Sequence, residues 1–133
     1  MATHIGTSGV VKVGTAPSDV AIAEVTSFTI DETNDTVEDT SLTDTAKSYK
    51  ALRKDATGTI ECHWDETDTN GQEALDVGSE VTLNLYPEGS DSGDSYYTGT
   101  AIITGASVSV TLDGIISRTF NVQFTGGLTH STV

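Results

Sequence analysis

Apolar side chains recur at alternate positions through much of this chain, the spacing of half-buried β-strands rather than of helices. Val10, Val11 and Val13 make a short first strand, closed by Gly14 and an Ala16-Pro17-Ser18-Asp19 turn. Val20 to Asp31 predicts a long strand, with Val20, Ile22, Phe28 and Ile30 on one face and Ala21, Ala23, Ser27 and Thr29 on the other. Glu24 and Val25 interrupt that alternation, which leaves room for a β-bulge. Ala56 to Trp64 alternates cleanly, setting Ile60, Cys62 and Trp64 against Thr57, Thr59, Glu61 and His63. Glu80 to Tyr86 follows, then Tyr96 to Thr104 and Ser107 to Leu112 on either side of Gly105, with Asp113-Gly114 as a tight hairpin turn. In the last strand, Ser117 to Thr125, Arg118, Phe120, Val122 and Phe124 oppose Thr119, Asn121 and Gln123, and Gly126-Gly127 close it. One short helix is expected, opened by Asn70-Gly71-Gln72-Glu73 and stopped at Gly78.

Leu, Ile, Val and Phe supply 30 of 133 residues. That is barely above the roughly 20% below which highly charged chains stay unfolded. Thr and Ser supply 36, and the β-branched threonines favour a pleated surface over a helix. The chain therefore reads as all-β: one domain over 1–133, with two packed antiparallel sheets forming a sandwich or barrel, one short flanking helix and short polar termini.

Charge narrows the partners. Twenty carboxylates face six cations, a net −14, so binding nucleic acid by phosphate neutralisation is excluded over most of the surface and an anionic membrane repels the chain. No run approaches the ~20 apolar residues of a membrane-spanning helix, and Met1 to Val11 carry no basic and apolar signal segment. Cys62 alone forms no intrachain disulfide and suits a reducing compartment. The charges are also segregated. Asp31 to Asp44 hold six acids and no base, whereas Lys47, Lys50, Arg53 and Lys54 are four of the six cations. Residues 31–55 read as a long exposed loop, either solvated or an interaction surface.

Candidate chemistry is sparse. Glu61 and His63 share a strand face without a third metal ligand. Glu66, Asp68, Asn70 and Gly71 match the start of a calcium loop, but Val77 stands where the bidentate carboxylate is required. No nucleophile elbow or phosphate-binding glycine loop is present. The expectation is a structural protein, not an enzyme, with no catalytic residues, cofactor or metal.

The order of elements resembles that of the major tail tube proteins of long, non-contractile-tailed bacteriophages. The resemblance rests on VAIAEVTSFTIDETNDTVEDTSLTD (20–44), the basic 49–54 stretch leading into GTIECHW (58–64), GQEALDVGSEVTLNLYPEG (71–89), YYTGTAIITGASVSV (96–110) and DGIISRTFNVQFTGG (113–127). It implies a virion protein, made and assembled in the bacterial host cytoplasm. Its hexameric rings would stack into a tube that conducts genome DNA without binding it specifically. It further implies partners such as tape-measure, tail-terminator and baseplate or tip proteins, and a loop at 31–55 reaching the next ring; the added C-terminal immunoglobulin-like domain that some members carry is not expected here. On that reading Lys47, Lys50, Arg53 and Lys54 contact acids of a neighbouring subunit, among them Asp35, Glu38, Asp39 and Asp44. Glu24, Thr119, Asn121 and Gln123 are candidates to face an acidic lumen. The competing reading is a monomeric acidic β-sandwich, used for adhesion or capsid decoration.

Overall fold

A computed structural model of the chain describes residues 9–14, 19–65, 67–68, 71–72, 75–89 and 91–133. Seven strands form among these residues: β1 (Val10–Val13), β2 (Val20–Ala21), β3 (Val25–Glu38), β4 (Tyr49–His63), β5 (Glu80–Tyr86), β6 (Ser95–Ser109) and β7 (Ser117–Thr132). All pairings are antiparallel, and the ladder is continuous in the order β2-β1-β5-β6-β7-β4-β3. The two expected layers are thus parts of a single sheet. Laid flat, five spacings of ~4.8 Å would separate β1 from β3 by about 24 Å, yet their Cα atoms come within 8 Å. The sheet is therefore rolled, and residues 22–24 carry the chain from one edge to the other. Ile22 N–H donates to Val11 O, and His63 N–H to Glu24 O, both at 2.9 Å.

The core lies inside the roll. Val11, Ile60, Cys62, Leu83, Leu85, Ala101, Ile103, Phe120, Val122 and Phe124 are buried there, the inward half of the alternation read from the sequence. Three departures from that reading have local causes. The long strand expected from Val20 breaks at Glu24, whose φ of 60° is left-handed. The strand expected to stop at Gly126-Gly127 runs on to Thr132, because both glycines take φ 82° and form a two-residue bulge between the Thr100–Thr125 and Thr98–Thr129 pairs. Gly105 does not break β6 either; a bulge beside Thr104 absorbs the irregularity, and the Thr104 hydroxyl donates to Asn121 O.

The expected helix is also corrected. Asn70, Glu73 and Ala74 lie outside the described residues, as does Glu66 of the calcium-like loop. Among the described residues of this stretch no α-helix forms. Leu75 N–H closes a single turn on Gln72 O, Gly78 N–H donates to Ile103 O at 2.7 Å, and Ile103 N–H donates to Ser79 O. The backbone after Leu75 is thus drawn onto β6 instead of propagating a helix. Gln72 is fully buried. Its side-chain amide donates to Ala23 O and His63 O at 2.9 and 2.8 Å and accepts from Asp65 N–H. Asp68 accepts from Ala23 N–H and Gln72 N–H. This clasp holds Asp65, Asp68 and Gln72 across the gap where β2 hands over to β3.

Candidate functional site

β6, β7, β4 and β3 are the four longest strands, 14 to 16 residues each, and they are neighbours in the sheet. Their core face is filled; on β7, β4 and β3 the opposite face is polar. Register aligns Thr29, Thr59 and Asn121 in one row, Ser27, Glu61 and Thr119 in the next, and Asp31, Thr57 and Gln123 in a third. Side-chain bonds knit those rows together. Ser27 donates to Glu61 at 2.9 Å, the Thr59 hydroxyl to Asn121 at 3.4 Å, and Gln123 to Asp55 at 2.6 Å. The face carries the carboxylates of Asp31, Asp55 and Glu61 and no cation in these rows. Three of the expected lumen residues, Thr119, Asn121 and Gln123, share it. Glu24 does not: it sits in the link ahead of β3.

Two cations lie elsewhere, against aromatic rings. The Arg118 guanidinium stacks 4.7 Å from the Trp64 ring centre and 5.1 Å from that of Phe120, and Lys12 lies 5.1 Å from Tyr86. These cation–π contacts hold Arg118 on the core side of β7 beside Phe120, and Lys12 on β1 beside Tyr86. Cys62 pairs with Arg118 across β4 and β7 and is buried; burial pushes its thiol up to about 11, with Arg118 lowering it and Asp68 raising it.

The remaining four cations and their acids form an arm. Residues 31–55 are not irregular: β3 and β4 stay paired out to Glu38 and Tyr49, and only 39–48 turn. Beyond the last pairing with β7, at Thr57–Gln123, the β4 side of the arm extends for about 26 Å at ~3.3 Å per residue. The acidic block is one strand and the basic block the other, so backbone pairing sets Lys54 beside Asn34 and Lys50 beside Val37. Lys50 reaches Asp39 at 3.7 Å, and Asp44 caps the turn by accepting from Ser41 N–H. Asp35, Glu38, Asp39, Asp44, Lys47, Lys50, Arg53 and Lys54 are all brought onto this one hairpin.

A second tip projects from the opposite end of the sheet, because β7 runs antiparallel to β4. Residues 110–116 join β6 to β7, turning where Gly114 N–H donates to Thr111 O. Val108, Val110, Leu112, Ile115 and Ile116 are all exposed there. From sequence alone, Asp113-Gly114 predicts an ordinary tight hairpin turn here. The available signal was the apolar run on both sides of Asp113-Gly114, where a solvated turn is polar. At the other end, where the arm leaves the body and β7 kinks, a cleft of about 620 Å³ is lined by Glu32, Arg53, Lys54, Asp55, Phe124 and Leu128 among others.

This rolled sheet with opposed hairpins is the fold of tail tube proteins. A chain from the tail of an empty gene transfer agent particle, determined with C6 symmetry, superposes with TM-score 0.78 at 16% identity, covering 98% of this chain and 100% of that one. The tail tube of SPP1 gives TM-score 0.77 at 10% identity, with 98% and 80% covered. A chain from the sheath–tube complex of an extracellular contractile injection system gives 0.69 at 11%, with 98% and 93% covered. No protein-family model and no curated protein matches the sequence.

Proposed function

We propose that this chain is a structural tail tube subunit of a virion, assembling as hexameric rings that stack into a tube and conduct DNA. The observation that carries the reading is the adjacency of the four longest strands, with polar, cation-free rows where β3, β4 and β7 pair in the body of the sheet, in a fold shared with tubes. Four strands from each of six copies, spaced ~4.8 Å and tilted ~40°, close a ring roughly 48 Å across at the backbone. Inward side chains take ~5 Å from each wall, half the spacing between packed sheets, leaving a bore near 38 Å.

Three carboxylates per copy and no Lys or Arg in the rows suit such a wall. A basic lining would hold DNA through counterion release, multiplied along the channel. An acidic one repels it only within the ~8 Å screening length, so a centred duplex passes. The arm carries contacts between subunits, its Lys47, Lys50, Arg53 and Lys54 meeting acids of a neighbouring copy. Ring closure also covers the outer edge of β3, a 14-residue strand whose edge beyond the body is paired by no other described strand. Tail-terminating, tape-measure and baseplate proteins are the further partners.

Negative-stain microscopy of the purified protein tests the reading directly. Rings or tubes with a stain-filled bore are expected. Uniform small monomers at every concentration would replace it with the adhesion or capsid-decoration module.

A further inference from the structure

The apolar tip and the arm-base cleft stand at opposite ends of the same strands. Val110, Leu112 and Ile115 are 68, 100 and 72% exposed, side chains that a soluble monomer has no reason to gather at one turn. We propose that this tip seats in the arm-base cleft of a second copy of the chain, in the next ring of the stack, with Asp113 against Arg53 and Lys54. The inference rests on the tube reading and assigns the contact between successive rings.

Charge complementarity selects the occupant. Arg53 and Lys54 have no carboxylate within ion-pair distance among the described residues, although the chain holds twenty. Asp55 beside them is committed to Gln123 and to Ala56 N–H, and Glu32 lines the cleft without pairing either cation. Asp113 is the single charge in 110–116 and stands at the apex of the turn. The net charge of −14 opposes self-contact everywhere that cations are absent, so a second copy is accepted where they remain unmatched. Apolar complementarity agrees. Half-buried Leu128 supplies the apolar wall with the core residue Phe124 behind it, and at Gly126 and Gly127 open space surrounds the backbone where a side chain would stand.

The test is a cysteine pair, Leu112→Cys with Thr125→Cys, in the full-length protein, oxidised after assembly and run on a denaturing gel without reductant. Cys62 is buried and stays out of the reaction. A covalent ladder continuing past six copies is expected from the pair, with each single variant remaining monomeric. A ladder that stops at six, or no crosslink in protein that still forms tubes, overturns this contact and leaves the tube reading standing. Absence of rings and tubes from the unmodified protein overturns both. Asp113→Lys should lower tube yield at least tenfold, and adding Arg53→Asp and Lys54→Asp should restore it. Full assembly of Asp113→Lys alone would also overturn the contact.

Discussion

The Tyr86 hydroxyl donates to the Asp19 carboxylate at 2.9 Å, fastening β5 to the residue just ahead of β2. Asn84 donates to the same oxygen at 2.8 Å and accepts from the Thr98 hydroxyl at 2.6 Å, so the second face of β5 is buried as well, against a satisfied polar network. Burial first, and then the bond to Asp19 and its charge, push the Tyr86 hydroxyl up to about 12.

Stability should therefore fall with rising pH between 10 and 12, since the folded chain retains a proton there that the unfolded chain has lost. Cys62 adds a second decline between 9 and 11 by the same logic. Melting temperature against pH is the measurement. Tyr86→Phe should lose the part of the decline above pH 11, and a profile identical to the parent would show that Tyr86 does not carry it.

Gln72→Ala should destabilise the fold by at least about 3 kcal/mol, because it strands the carbonyls of Ala23 and His63 and the amide of Asp65, each costing ~1–3 kcal/mol when buried without a partner. Urea unfolding of the purified variant reads this as a lower midpoint with an unchanged slope. A loss under 1 kcal/mol would mean that the clasp is dispensable.

Gly126→Ala and Gly127→Ala should each cost about 1–2 kcal/mol, the strain of an L-residue in a left-handed conformation. A side chain meets nothing within 4 Å at either position, so the cost is conformational and not steric. Thermal unfolding at neutral pH checks it, and neutrality at both sites would mean that β7 takes another path there.

Reversing Lys47, Lys50, Arg53 and Lys54 to Glu should abolish polymerisation and leave a folded monomer. The one ion pair that this breaks among the described residues, Lys50–Asp39, is exposed and worth ~0–1 kcal/mol. Circular dichroism and microscopy on the same sample separate the two effects. Normal tubes from the variant would remove the arm's cations from the interface.

Alternation alone made most of the fold legible: β1 and β5 have the expected bounds, and Phe120, Val122 and Phe124 are buried as their period requires. The arm was harder to read. Its side chains face solvent on both sides, so no apolar period marks residues 31–38 and 49–55 as strands; what pairs them is backbone. The glycines at 126–127 carry the usual signal of a strand end, yet a bulge uses the same left-handed freedom to continue. Thr119, Asn121 and Gln123 emerged as one face because small polar residues alternate with large apolar ones. The exposed tip was missed because Val110, Leu112 and Ile115 resemble core residues until the structure places them outside it.

The two hairpins that leave the sheet in opposite directions give every subunit a front and a back. Stacked head to tail, such subunits present different chemistry at the two ends of any finite column: one end shows apolar turns, the other charged arms and clefts. A partner that halts growth at one end has nothing to grip at the other. If the chain stacks as proposed, elongation would acquire a direction before any other protein is involved, and the machinery that starts a column would have to be built differently from the machinery that finishes it.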